Sequence, residues 1–539
     1  MIEAISLTPA IMFTVVLLVA LLVGHSHGQD TPSALQDEIK QLPGWNDALP
    51  SRHFAGHVAA GTATELGIDH KMFEHYYFVE SEKDPKTAPL IVWTNGGPGA
   101  SSMFGLFVEL GPFYFDASSL DTLEFNKTGV PTMYRNAHSW STIANVLIIN
   151  SPPPIGYSYC TPAGQTGDGY SCGTWNDTKT AVHNEIYLES WLQRFPQYKQ
   201  NDWYLIGESY AGIYVPTLAR RIINNPTSNI STLLKGFAVG DGCVGSDVLC
   251  GANGPGPLFH LEFFRGHGQF SDKLYHATKA TCPYDQLLGY GVKVTDKACQ
   301  TLLAQVDQQI GAYYAYNLYD SCWYQNSLEP PKMTAHNERQ YWSSVPPMQH
   351  STTTTPRTTT TATTFTTSSP KRRALPAVND YPCDGPQAMF VWVQTPQVKA
   401  ALHVAADANF FSGDNGVGFT YNITEPNLMP FYVQVAKETN LRVLVYNGDT
   451  DPGINSFVAQ NWTSSLGLKE TEEWRPWTLD NKEYMGGYVT RYEGNFDYLT
   501  IRGSGHMVPE FKPKVTLAFL TKWINNEEWD TWDGKNLEL

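Results

Sequence analysis

Short apolar runs recur along this chain, and six of them predict β-strands: Met72–Val79, Leu90–Trp93, Val146–Ile149, Trp203–Ile206, Arg442–Tyr446 and Tyr498–Ile501. The later runs are continuously apolar, as in strands of a parallel sheet buried on both faces. Between the third and fourth, Lys179–Phe195 places Val182, Ile186, Leu188, Leu192 and Phe195 at helical spacing. Strand, helix, strand at this distance predicts a right-handed crossover in an α/β fold. A further helical stretch, Ile213–Ile222, follows the fourth strand. Residues 244–390 break the alternation and hold five of the eight cysteines, so they read as an inserted cap. The expected organisation is a first core part over 29–243, a cap over 244–390 and a second core part over 391–539.

Two segments stand outside the packed pattern. Ile11–Val23 is apolar apart from Thr14 and runs into Gly24-His-Ser-His-Gly28. This fits a signal peptide over 1–28, although the preceding residues carry Glu3 and no Lys or Arg. The alternative, an uncleaved anchor, needs about 20 apolar residues, more than the run supplies. Residues 351–370 contain 12 Thr, three Ser and two Pro. Such a stretch cannot bury a core, so 351–373 reads as a disordered loop inside the cap. Lys371-Arg372-Arg373 at its end is a candidate processing site.

Composition narrows the class. The 539 residues are 42% hydrophobic, enough for a large core, and the formal net charge is −16. An acidic chain lacks the basic field that a nucleic-acid binder uses. An even number of cysteines in a chain bound for the secretory route points to disulfides. Proximity in sequence suggests Cys160–Cys172 and Cys243–Cys250. Sequons at Asn126, Asn176, Asn229, Asn422 and Asn461 become candidate glycan sites in that compartment. No clustered ligand motif supports a metal, and no cofactor is expected.

The chemistry concentrates at strand ends. Gly207-Glu208-Ser209-Tyr210-Ala211 sits between a strand and a helix. Small residues two before and two after a serine allow the sharp turn that lifts its hydroxyl above a sheet. A serine needs a base, and His506 follows the strand Tyr498–Ile501 in a Gly-rich loop. An orienting carboxylate is offered by Asp449 or Asp451, just past the strand Arg442–Tyr446. The order Ser, Asp, His is that of α/β-hydrolases. Asn95-Gly96-Gly97-Pro98-Gly99 follows an early strand and suits a loop that brings backbone N–H groups close to an oxyanion.

These motifs resemble those of the serine carboxypeptidases. The resemblance lies in Trp93-Thr-Asn-Gly-Gly-Pro-Gly99, Gly207-Glu-Ser-Tyr-Ala-Gly212, Tyr446-Asn-Gly-Asp-Thr-Asp451, Gly503-Ser-Gly-His-Met-Val-Pro509 and the earlier Leu42-Pro-Gly-Trp45. It runs from about residue 40 to 525. It implies an α/β-hydrolase fold, a mostly parallel sheet with a disulfide-containing cap, and removal of C-terminal residues from peptides with a free C-terminus. Ser209 is then the nucleophile, His506 the base and Asp451 the acid, with Asp449 structural. Gly97 and Tyr210 supply oxyanion N–H groups. Asn95, Glu109, Glu208 and a Gly96 N–H grip the substrate carboxylate, and Met507 walls the leaving-residue pocket. Two carboxyl groups side by side keep one proton, so the resemblance implies activity best at acidic pH.

The resemblance further implies a Cys299–Cys322 cap bridge. Ala100 stands where the family has the cysteine that commonly bridges to the position of Cys383. Cys383 is therefore left to pair elsewhere, with Cys282 for example, or to stay free. Asn150-Ser-Pro-Pro-Pro154 also departs from the family pattern, at one wall of the cleft. The resemblance implies a secretory-pathway protein, lysosomal or extracellular, with no membrane part after signal cleavage and with a homodimer as one candidate state. The alternatives kept open are an esterase or acyltransferase on the same fold, and a secreted glycoprotein whose main role is to protect partner hydrolases.

Overall fold

The computed structural model describes residues 31–60, 71–320, 385–413, 418–479 and 484–532. The signal peptide, the Thr-rich loop with its candidate processing site, Cys322 and Cys383 lie outside these residues. No helix among the described residues is long and apolar enough to cross a membrane.

One twelve-stranded sheet organises the chain. Its strands are β1 (Glu38–Ile39), β2 (His53–Ala59), β3 (Met72–Val79), β4 (Leu90–Thr94), β5 (Asn145–Ile149) and β6 (Tyr159–Cys160), then β7 (Trp203–Glu208), β8 (Leu234–Gly240), β9 (Arg442–Gly448), β10 (Glu470–Thr478), β11 (Met485–Tyr492) and β12 (Phe496–Ile501). The order is β1-β2-β3-β5-β4-β7-β8-β9-β12-β11-β10, with β6 on β3. The six strands from β5 to β12 in this order pair in parallel, and the flanks are antiparallel. All six predicted strands are present, each within two residues of the expected ends.

Alternation within the central strands feeds two cores. Trp203 and Leu205 of β7 face one side, and Tyr204 and Ile206 the other. The first side is covered by α1 (Asp177–Arg194), α2 (Ala211–Asn224), α7 (Met429–Glu438) and α8 (Ser456–Ser464). The second is covered by α6 (Gly385–Gln394) and α10 (Pro513–Asn525). The helix α1 starts where the Asn176 side chain accepts the Lys179 N–H at 2.9 Å, and stops before Pro196, which cannot continue it. Buried parallel strands between two helical layers make this an α/β-hydrolase fold.

A third, smaller core lies under α3 (Leu258–Gly266), α4 (Asp272–Thr281) and α5 (Lys297–Ile310). Here one expectation is corrected. Cys299 bonds to Cys282, with their Cα atoms 4.7 Å apart, so it cannot pair with Cys322. The same bond removes Cys282 as a partner for Cys383. The cause is helix packing: Cys282 ends α4, Cys299 lies in the first turn of α5, and the two helices dock side by side. Cys160–Cys172 and Cys243–Cys250 are bonded as the spacing suggested.

Candidate active site

Every predicted site residue of the core falls just past, or packs against, the C-terminal edge of the parallel strands, where open α/β sheets bind ligands. Ser209 follows β7 and adopts φ +64°, a left-handed conformation costly for a non-glycine residue and the mark of a sharp elbow. Its N–H donates to Gly240 O at 2.9 Å, and its carbonyl accepts from Gly212 N and Cys243 N. A Cβ on Gly207 would come within 2.5 Å of Thr94 O and 2.6 Å of the Ala211 Cβ. Glycine at 207 thus makes room for alanine at 211, the fifth position of the elbow.

His506 and Asp451 are brought together across 55 residues of sequence. The His506 Nδ1–H donates to Asp451 Oδ2 at 2.7 Å, and both residues are buried. The backbone of His506 is held by a 2.7 Å bond to Tyr316 O, and the two rings pack 5.3 Å apart. Asp451 also accepts from Gly453 N at 2.8 Å and Ile454 N at 3.3 Å. These donors fix the orientation of the carboxylate. Asp449 accepts from Gly503 N at 2.6 Å, tying the β9 loop to the histidine loop.

The loop after β4 presses on the elbow. A Cβ on Gly96 would lie 2.3 Å from Tyr210 N and 2.9 Å from Glu208 O, so only glycine admits this approach. Gly97 takes φ +111°. Tyr210 is anchored from behind, its hydroxyl donating to buried Asp177 at 2.7 Å.

Asn95 gathers two acids. Its Nδ2 donates to Glu208 Oε1 at 2.9 Å and to Glu109 Oε1 at 3.0 Å. Its own oxygen accepts from Trp93 Nε1 at 2.8 Å and Gly105 N at 3.1 Å, which fixes the orientation of the amide. Burial pushes Glu109 up to about 7, and burial together with Glu109 pushes Glu208 well above the carboxylate range. Two buried carboxyl groups bridged by one amide cannot both ionise cheaply, so the pair retains a proton. Met507 packs with Phe511, Phe104, Tyr314 and Tyr316 in a small apolar cluster beside the histidine.

Two acids at the site escaped the sequence reading. Glu510, on α9 (Val508–Phe511), is buried and raised well above its usual range by burial and by Glu109. Asp241, at the end of β8, lies against Asp451. The motif around His506 could have drawn attention to Glu510. Asp241 carried no signal, because the strand before it was not recognised.

Of the sequon asparagines, Asn126, Asn229, Asn422 and Asn461 are exposed and Asn176 is half-buried at its cap.

Comparison with known proteins agrees with this geometry. The profile described as serine carboxypeptidase matches residues 43–526. The lysosomal protective protein of Mus musculus is 31% identical over 537 residues, covering 97% of this chain and 100% of its own. Serine carboxypeptidase 1 of Hordeum vulgare is 29% identical over 497 residues, covering 90% and 92%. Among solved structures, a prohormone-processing carboxypeptidase from Saccharomyces cerevisiae shares the fold, with TM-score 0.62 at 19% identity over 92% of this chain and 97% of that one. The chain belongs to the serine carboxypeptidase family.

Proposed function

We propose that the protein removes the last residue of peptides through an acyl-enzyme, working best at acidic pH. Ser209 Oγ attacks the final peptide carbonyl while His506 Nε2 takes its proton and Asp451 stabilises the imidazolium. The developing oxyanion is met by the N–H groups of Gly97 and Tyr210. His506 then gives its proton to the leaving amine as the C–N bond breaks. Water, activated by the same histidine, attacks the acyl-enzyme and frees Ser209.

The observation that carries this reading is the Asn95–Glu109–Glu208 cluster, because Glu208 directly precedes the nucleophile. While the pair holds a proton, it and the Asn95 amide donate to a substrate carboxylate. As pH rises through about 7 Glu109 ionises and repels it. The substrate therefore binds as a free C-terminal acid, with KM rising as pH rises. The apolar cluster around Met507 favours apolar leaving residues. The apolar N-terminal run and the name of the mouse relative support a route through the secretory pathway to the lysosome or the exterior.

Amino-acid release from an N-blocked Phe-Leu dipeptide at pH 5 tests the reading. Leucine should appear with wild type and vanish with Ser209→Ala. Release that survives in Ser209→Ala would refute the nucleophile. Transfer of the acyl group to an added alcohol, with no free acid formed, would favour the acyltransferase alternative.

A further inference from the structure

Asp241 has no role in the reaction just described, yet it is fully buried against its centre. It takes φ +42°, which aspartate tolerates because its short side chain bonds locally. Its carboxyl accepts from Gly448 N at 3.1 and 3.2 Å and from Asn447 Nδ2 at 3.1 Å. One side-chain nitrogen or oxygen from each of Asp241, Asp451 and His506 lies within 4.8 Å of the others. Two buried carboxyl groups this close cannot both ionise cheaply, so the pair holds a proton. Asp451 accepts from Gly453 N, Ile454 N and His506 Nδ1. Burial and the neighbouring Asp451 hold the Asp241 carboxyl well above the usual range, which makes Asp241 the candidate to carry that proton.

We propose that Asp241 is a positioning residue: protonated, it donates to Asp451 and fixes that carboxylate in the orientation that meets His506 Nδ1. The inference rests on the Ser209–His506–Asp451 reading above. The other titratable groups facing Asp241 are Glu208 at the end of β7, Tyr446 on β9 and Tyr498 on β12. His260 on α3 faces Asp451 from the cap side. Loss of the Asp241 proton would set two like charges in contact. One carboxylate would turn away, and the base would lose its orientation.

The rate at which diisopropyl fluorophosphate labels Ser209, followed from pH 4 to 9, isolates this effect, since the reagent has no carboxylate for Glu109 and Glu208 to grip. In wild type the rate should rise with pH and fall again as Asp241 ionises. Asp241→Asn keeps a permanent donor and tolerates the left-handed backbone, so it should follow the rise and then stay flat. Asp241→Ala should label about tenfold more slowly at its best pH, the effect of losing one hydrogen bond to a charged group. If Asp241→Ala does not fold, Asp241→Asn decides alone. An alkaline fall that is absent in wild type, or unchanged in Asp241→Asn, would overturn the proposal. Wild type that is not labelled at all would instead refute Ser209 as nucleophile, and Asp241 with it. Labelling of wild type but not of Ser209→Ala keeps the nucleophile whichever way Asp241→Asn behaves.

Discussion

Glu208 and Ser209 are neighbours in sequence with opposite demands. In the proposed reaction Ser209 loses a proton, whereas Glu208 has to keep one to grip the substrate. The fold separates these demands by burial. Glu208 shares its environment with Glu109 and is held by the Asn95 amide, so its proton stays on through the acidic range. Glu208→Gln removes the shared proton. Glu109 is then the one acid of the pair, with no protonated partner beside it to donate to the substrate carboxylate. KM for a free-acid peptide should rise at pH 5 and become nearly flat with pH. The ratio of KM at pH 7.5 to KM at pH 5 should fall from about tenfold, the scale of one charged hydrogen bond, to under about threefold. Steady-state kinetics at the two pH values checks this. An unchanged ratio would refute the shared-proton account.

At the scale of elements, the site depends on loops meeting at strand ends. The β4 loop reaches the elbow only because Gly96 has no side chain. Gly96→Ala should push Tyr210 N away from its place and lower kcat by about 100-fold or more, the effect of losing one oxyanion donor, with KM changed far less. A kcat within threefold of wild type would show that the approach is not used. The same elements show what sequence could reveal. Strands β4, β5, β7, β9 and β12 are apolar and local, and the motifs at their ends were legible with them. Strand β8 was not, since Gly236 and Gly240 dilute its pattern. Both glycines answer to neighbours: a Cβ on Gly236 would meet Arg442 O at 2.5 Å, and one on Gly240 the Tyr446 ring at 2.4 Å. Asp241 was lost with that strand. Strand β10 opens Glu-Thr-Glu-Glu and is largely exposed, so it gives no apolar run. The Cys282–Cys299 bond was hidden for a different reason, because docking of α4 on α5 sets it and no local spacing does.

Over the whole molecule, buried titratable groups make stability depend on pH from both sides. Burial holds His53 down to about 3 and His57 down to about 4, and lowers His75 further below its usual value. These folded-state values lie below the unfolded value of about 6.5. Below that pH the unfolded chain binds more protons, and stability falls by about 1.4 kcal/mol per pH unit for each such histidine. Glu109, Glu208, Asp241 and Glu510 act in the opposite sense, since burial raises them. Their stabilisation is present below the unfolded carboxyl value of about 4 and is lost as pH climbs through their folded values. The acids outnumber the histidines, so the apparent Tm should be highest at acidic pH and decline as pH climbs towards 8, as differential scanning calorimetry would show. A Tm that climbs steadily to pH 8 would contradict this balance.

The most direct test of the account compares KM for one N-blocked peptide as its free acid and as its C-terminal amide, from pH 4 to 8. The account predicts that KM for the acid climbs as pH passes about 7, where Glu109 ionises, while the amide, poor at acidic pH, does not follow that climb. If acid and amide change in parallel across the range, Asn95, Glu109 and Glu208 do not grip a C-terminal carboxylate, and the exopeptidase reading of the site fails.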